Sequence, residues 1–292
     1  MKSLSVVALL IGCGGSPAPV AATPPVDVGP AHPAFSVKVT GSGRPVVFIP
    51  GLASPGSVWD GTVAHLGGKV QAHVVTLAGF AGEPPIAAPF LPAVHDQLAA
   101  YLHHLDHPIV VGHSLGGAMT LWLAETSSAD LAGIIDVDGM PFLAAVTDPS
   151  MTEEKAAPYA KQVHDSMSSL TPEQLGAQMK QFLAGMITKP DDLERIAAAS
   201  ATSDVATVAT AFGELVSKDL RPELAKITTK VTIIAATVRD GVTPAQMEAA
   251  WHTQIDAIKG AEVHFVPNAK HFVMLDQPDA FYALVDQALH LQ

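Results

Sequence analysis

One stretch constrains the fold more than any other. The apolar run Pro108-Ile109-Val110-Val111 leads into Gly112-His113-Ser114-Leu115-Gly116, followed at once by Gly117 and the helical pattern Leu115 to Thr126. A strand passing into a helix through so short a turn forces the turn residue into strained backbone geometry and leaves its side chain exposed. Glycines on both sides let neighbouring backbone pass closely, and the helix N-terminus that follows favours negative charge beside the serine. A bare G-x-S-x-G occurs often by chance. Between a strand and a helix it marks Ser114 as a candidate nucleophile, the plainer reading being a structural turn that happens to carry serine.

The same strand and helix rhythm runs along most of the chain. Strands are expected at Phe35 to Thr40, Val46 to Ile49, His73 to Leu77, Ile109 to Val111, Ala132 to Val137, Val231 to Ala236 and Glu262 to Val266. Helical patterns fall between them at Val58 to His65, Pro92 to His103, Leu115 to Thr126, Pro244 to Ile258 and Asp279 to Leu289. This alternation predicts an α/β chain with a mostly parallel sheet and helices on both faces. One interval, 139–229, carries helix starts but no strand-like run. Its Thr171-Pro172-Glu173-Gln174 combines an N-cap, proline at N1 and a capping-box glutamine, and behind it Leu175, Met179, Phe182 and Met186 mark one apolar face. The interval is expected to be a helical cap inserted between two strands, with the core made of 35–138 and 230–292.

With 292 residues, 48% of them hydrophobic and 15% charged, the chain is large enough for a substantial core and too apolar for extended disorder. The net charge of −12 argues against nucleic acid as a partner. The single cysteine, Cys13, excludes an internal disulfide. It follows Lys2, the apolar run Leu4 to Ile11 and Gly12, a stretch too short to span a bilayer and readable as an export signal over 1–12. Leu10-Ile11-Gly12-Cys13 resembles the lipobox of bacterial lipoproteins, in which the cysteine is lipidated; an ordinary signal peptide is the alternative. Residues 13–34 are proline-rich and read as an extended tether. A lipid-anchored protein of the cell envelope is the expectation.

From about Val37 to the C-terminus the chain resembles the α/β-hydrolase family, whose order of active residues is serine, acid, histidine. The resemblance implies Ser114 as nucleophile, Asp240 as acid, after the strand run ending at Ala236, and His271, between the last strand and last helix, as base. A poor nucleophile such as a serine hydroxyl needs a base to take its proton, and the base needs a carboxylate to fix its tautomer. Asp138 also ends a strand run, Ile134-Ile135-Asp136-Val137-Asp138, and some relatives place the acid there; Asp240 is preferred, with Asp138 held open. Leu115 and, after Pro50-Gly51, Leu52 are expected to supply oxyanion-hole N–H groups, although relatives often carry histidine where Pro50 stands.

No metal or cofactor is expected. His103, His104, Asp106 and His107 crowd together without the spacing of a metal site and read as a solvated turn. Met140, Met151, Met167, Met179 and Met186 fall in the cap and suit either an adaptable apolar wall or the packing of its helices. Trp59 fits either the pocket or the anchoring of its helix. The lack of a cationic cluster near these motifs argues against a strongly anionic substrate, so the expected ligand is a small hydrophobic ester. The resemblance thus implies a carboxylic-ester hydrolase acting through an acyl-enzyme. Aminopeptidase, lactonase, thioesterase and cofactor-free peroxidase chemistry would use similar motifs, and a non-catalytic binding lipoprotein would keep the fold alone.

Overall fold

The computed structural model describes residues 31–291. The stretch expected to be an export signal at 1–12, Cys13 and most of the interval read as a tether lie outside them.

Seven strands form one sheet in the order β1-β3-β2-β4-β5-β6-β7: β1 (Phe35–Gly41), β2 (Pro45–Ile49), β3 (Gln71–Leu77), β4 (Ile109–His113), β5 (Gly133–Val137), β6 (Val231–Ala236) and β7 (Glu262–Val266). β1 runs antiparallel to β3, and every other pairing is parallel. The central strands β4, β5 and β6 are buried along their whole length, as a parallel sheet covered on both faces requires. This is the α/β arrangement that the alternation predicted.

Helices α1 (Asp60–Leu66), α2 (Phe90–His103), α3 (Leu115–Ser127), α8 (Pro244–Ile255), α9 (Val273–Asp276) and α10 (Pro278–Ala288) accompany the sheet. The stretch expected as one helix over Val58 to His65 is divided, with a 3-10 turn at Gly56–Trp59 preceding α1. Trp59 anchors this turn. It is fully buried, its ring centroid 5.5 Å from that of Phe48 and 6.3 Å from that of Phe281. Burying a side chain of this size stabilises the packing by about 3 kcal/mol, so the core and not the cavity explains the residue.

Between β5 and β6 the chain forms α4 (Glu153–Ser168), α5 (Pro172–Ala184), α6 (Pro190–Ser200) and α7 (Val205–Ser217), with 3-10 turns at Leu143–Ala145 and Arg221–Lys226 and no strand. The capping box at Thr171 and Gln174 is formed. The apolar face of α5 differs from expectation. Leu175, Met179 and Leu183 are buried at successive spacings of four, whereas Phe182 is 46% exposed and turned toward a cavity.

The folded body already includes the last residues of the interval read as a tether. Ala34 is fully buried, its N–H donates to Gln97 Oε1 at 2.8 Å, and its carbonyl accepts from Ala78 N–H at 2.9 Å. These bonds carry the β1/β3 ladder one pair past Phe35. The His32 ring stacks on Phe35 at 4.2 Å, so the folded body already includes these residues.

Candidate active site

Ser114 stands between β4 and α3 with φ 56° and ψ −116°, a left-handed backbone that a side chain adopts only under constraint. Its N–H donates to Val137 O at 2.9 Å, and its carbonyl accepts from Ala118 N–H at 2.9 Å, so β5 and α3 together enforce the turn. The flanking glycines are needed for close approach. A Cβ on Gly112 would lie 2.0 Å from Gly116 O, and one on Gly116 would lie 2.3 Å from Ile49 O. No side chain fits either position without moving backbone.

His271 follows β7 and is largely buried. Its Nδ1–H donates to Asp138 Oδ2 at 2.6 Å, a charge-assisted bond that leaves Nε2 as the proton-accepting nitrogen. Asp138 Oδ1 accepts the Ala236 N–H at 3.0 Å. Burial alone would raise the Asp138 carboxyl. The His271 bond and charge, the Ala236 N–H and the charge of Arg239 outweigh it and hold the group below its usual range, hence ionised.

The carboxylate on the histidine is therefore Asp138, and the preference for Asp240 is corrected. Both follow adjacent strands, but Asp138 has φ 55°, which turns it at the end of β5 toward His271, while Asp240 sits in the exposed loop between β6 and α8. That loop is tied to the histidine segment by the N–H groups of Thr237 and Val238, both donating to Ala269 O. Asp240 lines the cavity without bonding His271.

Two buried groups support this geometry. Asp136 is fully buried, and its Oδ1 accepts the Gly139 N–H at 2.8 Å, holding the chain where it leaves β5. Burial, opposed by that bond and reinforced by the Asp138 charge, keeps its carboxyl well above the usual range. His113 is fully buried and donates from Nε2 to the His271 carbonyl at 3.1 Å, which fixes the histidine loop against the elbow. Burial and the neighbouring His271 push its pKa well below that of free histidine, so it stays neutral.

Ser114, Asp138 and His271 open on one cavity of about 700 Å³, walled by the sheet's end on one side and the helical interval on the other. Leu52 is half-buried on its wall, and Leu115 follows Ser114 directly as the first residue of α3. A Cβ on Gly51 would come within 3.2 Å of Ser114 Cβ, which shows how tightly the β2 loop abuts the elbow without a histidine at Pro50.

Met140, Met151 and Met186 line the cavity with Phe182, Phe212 and Tyr159, whereas Met167 and Met179 are buried between helices. Met247, from α8, joins the wall. The wall also carries Lys155 and Arg239, two cations that the sequence reading missed. Their signal was topological: segments after the carboxyl ends of neighbouring strands converge, and Arg239 follows β6 as Asp138 follows β5. His103 and His107 lie apart from this site, facing Asp130 and Asp106 respectively on the exposed surface.

Residues 46–284 match the family model described as the alpha/beta hydrolase family. The fold is shared with an esterase from Exiguobacterium antarcticum (17% identity, TM-score 0.73, covering 88% of this chain and 95% of the other). A thermophilic esterase from Thermogutta terrifontis is similar at 19% identity and TM-score 0.72, over 88% of this chain and 93% of its own. The enol-lactonase from Burkholderia xenovorans LB400 aligns at 20% identity and TM-score 0.71, over 88% and 96%. No curated protein matches the chain.

Proposed function

Since the chain belongs to the alpha/beta hydrolase family, we propose that it is a serine hydrolase that cleaves carboxylic esters through an acyl-enzyme, with Ser114 as nucleophile, His271 as base and Asp138 as the acid that orients it. The observation that carries this reading is the 2.6 Å bond from His271 Nδ1 to a carboxylate kept ionised, beside a serine held at a strained elbow over the same cavity.

In this mechanism Ser114 Oγ attacks the ester carbonyl and gives its proton to His271 Nε2. The imidazolium is stabilised by Asp138. The tetrahedral oxyanion accepts hydrogen bonds from the N–H groups of Leu115 and Leu52. Collapse breaks the bond to the leaving oxygen, which takes the proton from His271 and departs as an alcohol. Water then attacks the acyl-enzyme, with His271 again receiving a proton, and returns Ser114 with release of the acid. The methionine-rich wall suits a hydrophobic acyl group of variable shape. Two of the structural neighbours are named esterases and one an enol-lactonase, and a lactone is a cyclic ester.

A lipid anchor on Cys13 would keep this activity at the cell envelope. Among the described residues no helix is long and apolar enough to cross a membrane.

The test is labelling of the purified protein with a fluorophosphonate, mass mapping of the adduct, and a chain-length series of p-nitrophenyl esters. Label on Ser114, turnover of short or medium esters and loss of both in Ser114→Ala are expected. A folded protein that neither labels nor turns over any ester of the series would overturn the proposal in favour of a binding protein of the same fold.

A further inference from the structure

We propose that Arg239 is the carboxylate-binding residue of the acyl pocket, so that the preferred substrate is a half-ester of a dicarboxylic acid: the ester lies at Ser114, a short methylene chain along the apolar wall, and the free carboxylate on the guanidinium. This rests on the ester-hydrolase reading and narrows its substrate class.

The argument begins with how charge is disposed in the cavity. Four ionic side chains besides His271 line it: Lys155, Arg239, Asp138 and Asp240. Asp138 is committed, accepting from both His271 and Ala236. Lys155 Nζ donates to Ser150 O at 3.0 Å, which directs its ammonium along its own loop. Arg195 and Arg221 each hold a carboxylate, Asp192 and Asp219. Arg239, by contrast, makes no direct ion pair or side-chain hydrogen bond with a carboxylate among the described residues, its charge reaching Asp138 only from a distance, although it is half-buried on the wall that carries His271.

The backbone that carries it is held in place. The Thr237 and Val238 N–H groups donate to Ala269 O at 3.2 and 2.9 Å, and Val242 N–H donates to Arg239 O at 3.1 Å. The loop is thus fastened two residues before His271 and closed on itself. A guanidinium offers a fork of donors that matches a carboxylate, and a half-buried one gains more from an anion than a solvated one does. Met186, Met247 and Phe182 stand on the same walls and give methylenes an apolar surface. Asp240, adjacent and exposed, opposes an anion at this place and sets the sign of a second test.

The experiment compares monomethyl succinate, glutarate and adipate with the neutral methyl esters in which methyl replaces the free carboxylate, following hydrolysis by proton release. In the wild type, kcat/KM for the best half-ester should exceed that of its neutral counterpart at least about tenfold and fall toward it as salt is raised. Arg239→Gln should reduce this ratio about 10- to 100-fold. Asp240→Asn should raise it. A wild-type ratio at or below one, or a ratio unchanged in Arg239→Gln, would overturn the proposal. Calorimetric binding of monomethyl glutarate and methyl pentanoate to Ser114→Ala, with and without Arg239→Gln, decides the same question without turnover. Preferential binding of the half-ester that depends on Arg239 supports the subsite, and equal binding rejects it. Failure of the ester-hydrolase reading would appear separately, as a wild-type protein that neither hydrolyses an ester nor takes the fluorophosphonate.

Discussion

Exchanging the acid discriminates between Asp138 and Asp240 more sharply than any other perturbation. Asn is the right replacement at Asp138, since φ 55° is a region Asn tolerates and its amide oxygen can still accept the Ala236 N–H. What Asp138→Asn removes is the charge. In the proposed mechanism, the imidazolium formed during attack would sit against a carboxylate at 2.6 Å. With about 4 Å between charge centres and an effective dielectric near 20, their attraction is about 4 kcal/mol, or about 10³ in rate. The Asn amide can also donate to Nδ1 and stabilise the wrong tautomer, which brings the expected loss in kcat to about 10⁴. Asp240→Asn touches no atom of His271, and kcat for an uncharged ester should change less than about threefold. The assay is steady-state hydrolysis of p-nitrophenyl butyrate beside thermal unfolding, so that a folding defect is seen as such. If Asp240→Asn lost more activity than Asp138→Asn while both stayed folded, the assignment of the acid would be wrong.

Two further predictions concern stability. Gly116→Ala would push a methyl to within 2.3 Å of Ile49 O and should lower the urea midpoint by at least about 3 kcal/mol equivalent or prevent folding. A Gly116→Ala protein as stable as wild type would mean that β2 does not press on the elbow. Burial lifts the Glu125 carboxyl to about 8, against the opposing Lys218 charge, and its Oε1 is buried with no hydrogen-bond partner. Between about 4.5 and 8 the unfolded chain therefore holds fewer protons at this position than the folded one, so the group lowers stability as pH rises through that window. Glu125→Gln should stabilise the protein at pH 8, by up to about 3 kcal/mol, and hardly at pH 4.5. Urea unfolding at both values checks it, and an equal gain at both would contradict the cause given.

The positions of the strands were legible because most are short runs rich in β-branched and other apolar residues, and Val231–Ala236 and Glu262–Val266 have the expected limits. The elbow was legible for a local reason: steric demands at Gly112, Ser114 and Gly116 are met within five residues. The partner of His271 was not. Asp138 and Asp240 both end strands, and which one reaches the histidine depends on a positive φ at one residue and on the path of loops far apart in sequence. The cationic wall escaped for the same reason. Lys155 and Arg239 are 84 positions apart and meet the cavity only because α4 folds back over the sheet's end. On α5, the side on which Phe182 falls was misjudged because a helix facing both a packing partner and a cavity has two apolar faces.

Placing the acid after β5 has a consequence for how such a protein can diversify. The proposed nucleophile and acid then ride on neighbouring central strands, β4 and β5, whose pairing is fixed by a fully buried ladder. The loop after β6 then supplies no atom that bonds the histidine ring, and supports it only through the Thr237 and Val238 N–H groups on Ala269 O and the charge of Arg239. Substitutions at Asp240 and Val242, which line the cavity without bonding the histidine segment, can therefore vary what is recognised while the residues of the proposed reaction keep their places. In directed evolution, that short loop is the segment where new selectivity can be sought with the least risk to turnover.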